Sequence, residues 1–365
     1  MTSFSSISPR INPRSALFLI LAGAAAGCFS GAKNSELEDV APKGASASPT
    51  SPSQGTPEAG VTPVTDGGGV PKDDGGSTTE TTLCDDGLSL TSTNAFDAAK
   101  AIGLCKKTTA GGSGSGLVDA RFIKPDGTPI MNPESWGLLT KFGSNVPTAG
   151  KAMLALSSGA ARAPGDPGYQ APSGYDKGYT HAPPAGQPRQ ASVCTDTTMA
   201  PGMPHDGVAL ELKIRVPASA KSLSFSHQLF TSDYSQYVCS QYNDVFVVLM
   251  DPKPAGNTDN NIVFDAHGDS LGVNSASLLR ACTPSTAGGL TFACPLGPSS
   301  LTGTGFEAKA ATGWLTTTVP VQGGSDITLR FAVWDSGDGI LDTTVLVDEL
   351  AFSSIPAAAT NTVPR

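Results

Sequence analysis

The chain has 365 residues, with 42 glycines, 29 prolines, few aromatic residues and a formal net charge of −9. Nucleic-acid-binding domains carry clusters of Lys and Arg that displace counterions from the phosphate backbone. No such basic patch is visible in this acidic sequence, so we expect no nucleic-acid partner.

The N-terminus has the pattern of an export signal. Arg10 and Arg14 precede an apolar run over residues 16–26, which is too short for a bilayer span of ~20 residues. We therefore predict a cleaved signal peptide over residues 1–27 and export of the chain to the cell envelope.

The end of the apolar run predicts a lipid anchor. Residues 25–28 read Ala-Ala-Gly-Cys, which resembles a bacterial lipoprotein processing box with Ala25 in the place of the usual Leu. This pattern predicts that Cys28 is lipidated and that the protein is an outer-membrane or surface lipoprotein. The alternative is ordinary cleavage after Ala26, which would leave Cys28 as a plain thiol.

The cysteine count agrees with this anchor. Seven cysteines is an odd number for an exported protein, and assigning Cys28 to a lipid leaves six. These six form no C-x-x-C pair and lie outside the reducing cytosol, so disulfides are expected rather than zinc. Because closing a short loop costs the least entropy, we favour the two local pairs and assign the remaining two cysteines to each other. The expected pairs are Cys84–Cys105, Cys282–Cys294 and Cys194–Cys239.

A low-complexity segment follows the anchor. Residues 31–80 contain no Phe, Trp, Tyr or Ile and a single Leu, so they cannot bury enough apolar surface to offset the entropy of ordering them. We predict a disordered Ser/Thr/Pro/Gly-rich tether over residues 28–80, with an r.m.s. reach of ~40 Å. The folded domain is predicted over residues 84–354.

The first part of that domain contains short elements. Residues 94–104 have the pattern of a short helix capped by Thr93 or Asn94. A strand is expected at 118–122, followed by short ordered pieces at 137–144 and 151–158. Residues 161–191 are rich in Pro, Gly and Tyr and are interpreted as a long surface excursion within the domain.

The second part contains the strongest strand patterns. Alternating apolar residues predict strands at 210–216, 223–229, 245–250, 262–265 and 315–319. A closing pair at 327–334 and 345–352 is joined by a tight Asp/Gly turn. Several short strands without a long amphipathic helix predict a mainly β fold: an antiparallel, jelly-roll-like β-sandwich with one or two short helices, preceded by the disordered tether.

Several segments together resemble the choice-of-anchor L domain of bacterial surface and secreted proteins. The most specific are the run Tyr242-Asn243-Asp244-Val245-Phe246 and the turn from Asp335 to Asp342, which reads DSGDGILD. Further matches lie at 138–145, 153–161, 223–250 and 329–350. The family usually has Glu where this chain has Asp233. The resemblance implies an extracellular β-rich domain and leaves its biochemical role open.

No catalytic motif is present. There is no H-E-x-x-H and no G-x-S-x-G, and the glycine-rich stretch at 143–151 lacks the spacing of a P-loop and is expected to be a turn. His227 lies in an apolar strand phase and is expected to be a core or edge residue rather than a base. We therefore expect a protein that is not an enzyme. The rival hypothesis is an extracellular hydrolase with paired carboxylates drawn from Asp233, Asp244, Asp335 and Asp342.

Aromatic residues between two of the predicted strands form a candidate ligand-binding set. Amphipathic rings at Tyr234, Tyr237 and Tyr242, near Phe230 and Phe246, would suit stacking on a sugar. The alternative is that these rings pack a loop between strands.

The closing strands suggest a bound Ca²⁺. Asp348 shares the phase of Leu346 and Leu350, which would aim its charge at the apolar side, and Asp206 would lie near it if the first and last strong strands were neighbours. A second candidate cation site is the turn with Asp335, Asp338 and Asp342. The alternative is that Arg or backbone N–H groups satisfy these carboxylates.

These observations predict a lipid-anchored envelope protein whose sandwich acts as a binding or adhesion module for a glycan or a surface protein. A structural Ca²⁺ is the one cofactor that these carboxylates suggest, and the alternative is that no cofactor is bound. The alternatives are the carboxylate-dependent hydrolase and a purely structural envelope component.

Overall fold

The structure is a computed structural model that describes residues 84–189, 191–194 and 200–365. The predicted signal peptide, Cys28 and the tether lie outside the described residues. Within these residues the chain forms one short α-helix and fourteen strands. Their bounds are α1 (Ala95–Ala101), β1 (Gly116–Ile123), β2 (Trp136–Leu139), β3 (Met153–Ser157), β4 (Pro204–Arg215), β5 (Ser222–Thr231), β6 (Val245–Asp251), β7 (Leu271–Gly272), β8 (Ser285–Ala287), β9 (Leu290–Phe292), β10 (Ala310–Ala311), β11 (Leu315–Pro320), β12 (Asp326–Ser336), β13 (Thr343–Ser353) and β14 (Asn361–Pro364).

The strands form two large antiparallel sheets. Sheet A has the strand order β1-β4-β12-β6-β7, and sheet B has the order β14-β11-β5-β13-β3-β2 with β10 paired to β5. A separate hairpin joins β8 to β9. The prediction of a mainly β, antiparallel fold is confirmed.

The two sheets pack face to face around an apolar core. Phe225 of β5 meets Phe331 of β12 edge to face at 5.2 Å between ring centroids. Along β4, β6 and β12 every second side chain is fully buried in this core, as the alternation predicts. The opposite phase of sheet B forms a second apolar cluster on its outer face, where Leu346 and Phe230 pack.

The closing strands do not form the expected hairpin. β12 lies in sheet A between β4 and β6, whereas β13 lies in sheet B between β5 and β3. The acidic turn therefore crosses from one sheet to the other. Alternation revealed a buried face on each strand but not the neighbour with which each strand pairs.

A bulge in β13 overturns the predicted phase of its second half. The pairing with β5 shifts between Asp348 and Ala351, and Glu349 has φ 54° in the left-handed region. Leu346 consequently faces the outer cluster, whereas Leu350 faces the core between the sheets. Asp348 thus does not share one face with both leucines.

Two predicted boundaries also differ. Residues 262–265 form only isolated bridges, because the Asn261 side chain accepts hydrogen bonds from the backbone N–H groups of Val248 (3.2 Å) and Val263 (3.1 Å) in place of a strand. At the other end, β14 pairs with β11, so the folded chain extends beyond residue 354.

The three predicted disulfides and the predicted N-cap of the helix are confirmed. The three disulfides join Cys84 to Cys105, Cys194 to Cys239 and Cys282 to Cys294. The α1 helix is capped by Asn94, whose side chain accepts a hydrogen bond from the Phe96 N–H at 3.1 Å.

His227 is a core residue, as the sequence predicts. It is fully buried between the sheets, with its ring 5.5 Å from that of Phe246, and Nε2 lies 2.9 Å from Thr317 Oγ1. Burial lowers the pKa of His227 to about 3.

This burial predicts acid sensitivity. Below about pH 6.5 the unfolded chain protonates His227 while the folded chain does not, so stability falls as the pH falls toward 3, by up to about 1.4 kcal/mol per pH unit. The variant His227→Gln removes this contribution. We expect the difference in unfolding free energy between wild type and variant, measured in urea from pH 7 to pH 4, to move in the variant's favour at low pH. Parallel pH curves for the two proteins would contradict this account.

Candidate functional site: the acidic end of the sandwich

Four buried carboxylates gather at one end of the two sheets, which we call the acidic end. Asp233 follows β5, Asp244 precedes β6, Asp335 lies near the end of β12, and Asp342 precedes β13. Each has an exposed fraction of 1–2%. The structure thus brings together the four carboxylates that the hydrolase hypothesis named.

The strand phase explains why two of them, Asp244 and Asp335, point between the sheets. Asp244 is two residues before Phe246, and Asp335 is two residues after Val333, so each continues the alternation of the core. Asp233 lies two residues beyond the end of β5 and reaches the same place through the hydrogen bond that its Oδ2 accepts from the Asp244 N–H. The core therefore ends in carboxylates rather than in apolar side chains.

Asp244 and Asp335 are cross-strand neighbours. β6 and β12 pair Val245 with Trp334, and the same antiparallel register places Asp335 opposite Asp244. Asp244 Oδ1 accepts the Ser336 N–H at 2.9 Å, and Asp233 Oδ2 accepts the Asp244 N–H at 3.4 Å. Like charges in directly opposed positions destabilise a sheet.

Several oxygen atoms at this end have no hydrogen-bond partner among the described residues. They are Asp244 Oδ2, Asp335 Oδ2, Asp342 Oδ2 and Thr343 Oγ1, all buried. None of the four carboxylates forms an ion pair with a described Lys, Arg or His side chain. Ionising these groups would therefore bury negative charge without direct compensation.

The electrostatic consequence is a raised pKa at every one of these groups. Burial, with added repulsion from Asp233, raises the pKa of Asp335 to about 9. Burial raises the pKa of Asp342 to about 8 and that of Asp233 to about 7. Burial and the charges of Asp233 and Asp335 raise the pKa of Asp244 well above its usual range.

One lysine from the long excursion lies beside the cluster. Lys177 Nζ donates to Ser135 Oγ at 2.7 Å and to the carbonyl oxygens of Ser157 and Gly159 at 3.2 Å each. Burial lowers the pKa of Lys177 to about 8, and its charge lowers that of Asp342 without an ion pair. Lys177 therefore closes one side of the acidic end but does not neutralise the inward-facing carboxylates.

The structure removes the reason for expecting a cation between Asp206 and Asp348. β4 and β13 lie in different sheets, so Asp206 and Asp348 are not on neighbouring strands. Asp206 accepts the N–H groups of Lys177 (2.6 Å) and Tyr179 (3.1 Å). Backbone N–H groups therefore satisfy Asp206, as the alternative hypothesis in the sequence analysis predicts.

Asp348 has its own set of donors. Its Oδ2 accepts the N–H and hydroxyl of Thr148, at 2.6 and 3.0 Å, and the Ala149 N–H at 3.0 Å. The glycine-rich stretch that the sequence excluded as a P-loop is thus a turn that binds this buried carboxylate. Burial still raises the pKa of Asp348, to about 6.

The three aspartates of the acidic turn have different environments. Asp338 is half-buried, and its Oδ1 accepts the Ile340 N–H at 3.2 Å, which stabilises the turn. Asp335 and Asp342 instead face the buried cluster. In the described part of the chain, no group of three or more His, Cys, Asp or Glu side chains has the arrangement of a metal site.

The three candidate tyrosines have different environments. Tyr234 is 6% exposed and its hydroxyl bonds the Thr283 carbonyl and Ser285 Oγ, so its ring packs a loop and is not available to a ligand. Tyr237 and Tyr242 are half-buried, and their rings meet edge to face at 5.2 Å. A Cβ added at Gly337 would lie 2.7 Å from the Tyr242 ring, so this pair lies against the acidic turn.

Two sets of candidate residues from the sequence meet at the acidic end. Asp335 and Asp342 belong to the candidate cation turn and to the hydrolase hypothesis, Asp233 and Asp244 to the hydrolase hypothesis alone, and Thr343 and Lys177 to neither. The signal that identifies Asp233 and Asp244 is an acidic residue in the core phase, just beyond the last apolar position of a strand. No sequence pattern points to Lys177, because it lies in an irregular excursion.

Comparisons with known proteins identify one family. The family model of the choice-of-anchor L domain matches residues 103–353. A search of curated proteins found no match. Of the helices in the described residues, none has the length and apolar character that a membrane crossing needs.

The position of Asp342 predicts that residue 159 must be glycine. A Cβ at Gly159 would overlap Asp342 Oδ2, so Gly159→Ala is expected to cost about 1–3 kcal/mol of unfolding free energy. In an Asp342→Ala background the same substitution should cost much less, because the overlapping carboxylate is gone. A double-mutant cycle in urea measures the coupling. Equal costs in both backgrounds would show that Gly159 does not lie against Asp342.

Proposed function

The chain belongs to the choice-of-anchor L domain family, and from this premise we propose that it is a lipid-anchored envelope protein whose sandwich binds glycans. Membership of this family indicates a surface or exported protein. The finer proposal concerns how the protein is attached and what it recognises.

The cysteine arrangement supports the lipid anchor. The three disulfides use all six cysteines that follow Cys28 in the sequence. Cys28 is therefore left without a disulfide partner within the chain, directly after an apolar run of signal-peptide length. A lipid on its thiol accounts for both observations. The tether that follows would hold the domain ~40 Å from the lipid surface.

The pair of tyrosines at the acidic end carries the proposal of glycan binding. Tyr237 and Tyr242 present amphipathic rings from the loop between β5 and β6, which the Cys194–Cys239 disulfide ties to the chain just after the excursion. Rigid rings with an apolar face and a polar edge suit stacking on a sugar. Neighbouring carboxylate and amide groups, such as Asp338 and Gln241, would supply hydrogen-bonding partners for sugar hydroxyls.

The burial of the four carboxylates argues against the hydrolase alternative. A glycosidase needs two carboxylates on either side of a bound substrate. Exposed fractions of 1–2% leave no room for a substrate to reach them in this conformation. The tyrosine pair at the surface is therefore a better candidate for ligand contact than the carboxylates beneath it.

The anchor can be tested by cell fractionation. Cys28→Ser removes the thiol to which a lipid would be attached, so the protein should move from the membrane fraction to the soluble fraction. Ser30→Ala, two residues away, is the matched control and should stay in the membrane fraction. Retention of Cys28→Ser in the membrane would contradict lipid anchoring.

Ligand binding can be tested on a glycan array with the full-length protein lacking only its signal peptide. Tyr237→Ala and Tyr242→Ala should each weaken binding to any hit by about fivefold or more, since an aromatic stacking contact is worth about 1 kcal/mol or more. Tyr169→Ala, which changes a half-buried tyrosine on the excursion, should leave binding unchanged. Hydrolysis of a hit would favour the enzyme, and the absence of any hit would favour a structural role.

A further inference from the structure

The buried carboxylates of this chain fall into two groups. Most have donors that satisfy them directly. Asp85 accepts the N–H groups of Lys151 and Ala152, Glu211 is held by the guanidinium groups of Arg121 and Arg330, Asp265 accepts the N–H groups of His267 and Asp269, and Asp269 accepts the N–H and hydroxyl of Ser192. Asp206 and Asp348 are satisfied as described above.

The acidic end is the exception to this rule. Asp244 Oδ2 and Asp335 Oδ2 are buried on opposing strands, and neither has a donor among the described residues. The hydroxyl of Thr343 is also buried there, with no hydrogen bond of good geometry, and it lies close enough to Asp244 to lower the pKa of that carboxyl group. Thr343 is in the inward phase of β13, two residues before Val345 of the core, so it faces the space into which Asp335 points.

The acidic end has acceptor oxygens but, among the described residues, no positively charged group that binds them. Lys177 is held by three oxygen atoms of other residues, and Lys309 Nζ donates to the Ser232 carbonyl at 2.9 Å. Burying both groups as charged carboxylates would cost several kcal/mol, and burial therefore raises the pKa of Asp244 and of Asp335 and favours their protonated forms. A ligand that supplies positive charge to oxygen atoms would remove that cost.

We propose that a Ca²⁺ ion binds between the two sheets at the acidic end, coordinated by Asp244, Asp335 and the Thr343 hydroxyl. The atoms there that could coordinate a metal are all oxygens, which Ca²⁺ prefers. Its coordination shell of six to eight ligands accepts hydroxyls and water in addition to carboxylates. Two carboxylates balance its charge.

The inference does not depend on glycan binding, and its test uses the metal alone. Full-length protein lacking the signal peptide is stripped with EDTA, transferred to metal-free buffer at pH 7.5 and titrated with CaCl₂ in a calorimeter. We expect saturable binding of one Ca²⁺ per chain. At a concentration of about 100 times the Kd, CaCl₂ should raise the Tm by about 5 °C or more. The absence of both heat and a Tm shift at millimolar CaCl₂ would overturn the proposal.

Variants assign the ligands. Asp335→Asn and Thr343→Val should each weaken Ca²⁺ binding by at least tenfold, and Thr343→Val preserves the shape of the side chain in case Asp335→Asn impairs folding. In EDTA, Asp335→Asn should melt at or above the wild-type Tm, because the neutral amide cannot ionise beside Asp244. Asp326→Asn, at the opposite end of the same strand, should leave the Ca²⁺ affinity unchanged. Wild-type Ca²⁺ affinity in both Asp335→Asn and Thr343→Val would refute this assignment.

Discussion

Asp244 and Asp335 lie opposite each other where β6 and β12 leave the core. The nearest inward-facing pair of these strands, Phe246 and Val333, is apolar. Two opposed carboxylates repel each other, and burial makes their charged forms more costly. Backbone hydrogen bonds, a lysine and a close-packed glycine surround the acidic end, yet Asp244 Oδ2 and Asp335 Oδ2 have no hydrogen-bond donor among the described residues.

The crossing between the sheets explains how so many acidic residues reach one place. β12 ends in sheet A and β13 begins in sheet B, so the turn between them spans the end of the core. Antiparallel pairing brings the end of β5 and the start of β6 to the same end of the sandwich. The excursion then covers this end, with Lys177 and Tyr179 binding Asp206 through their backbone N–H groups.

Much of the fold was predictable from local patterns. Alternation located β4, β5, β6, β11, β12 and β13, and loop-closure entropy predicted the three disulfides. The choice of partner strand was not predictable, because an apolar face can pack on either sheet. The closing strands were therefore misread as a hairpin, and the bulge at Glu349 hid the true phase of Leu350.

The candidate site was predictable only in part. Acidic residues in the core phase are visible in the sequence, and Asp335 and Asp342 were already cation candidates. Their pairing with Asp244 and Thr343 depends on the register between strands that are distant in sequence. The satisfaction of Asp348 by Thr148 and Ala149 depends on a turn 199 to 200 residues away in the chain.

The central claim is that the acidic end holds a cation between Asp244 and Asp335. The most direct measurement is a crystal structure of the protein grown with CaCl₂, with anomalous difference maps collected at long wavelength. The account predicts an anomalous peak between the two sheets, ~2.3–2.6 Å from one oxygen of each carboxylate and from Thr343 Oγ1. A map without a peak there, with the two carboxyl groups hydrogen-bonded directly to each other, would contradict it.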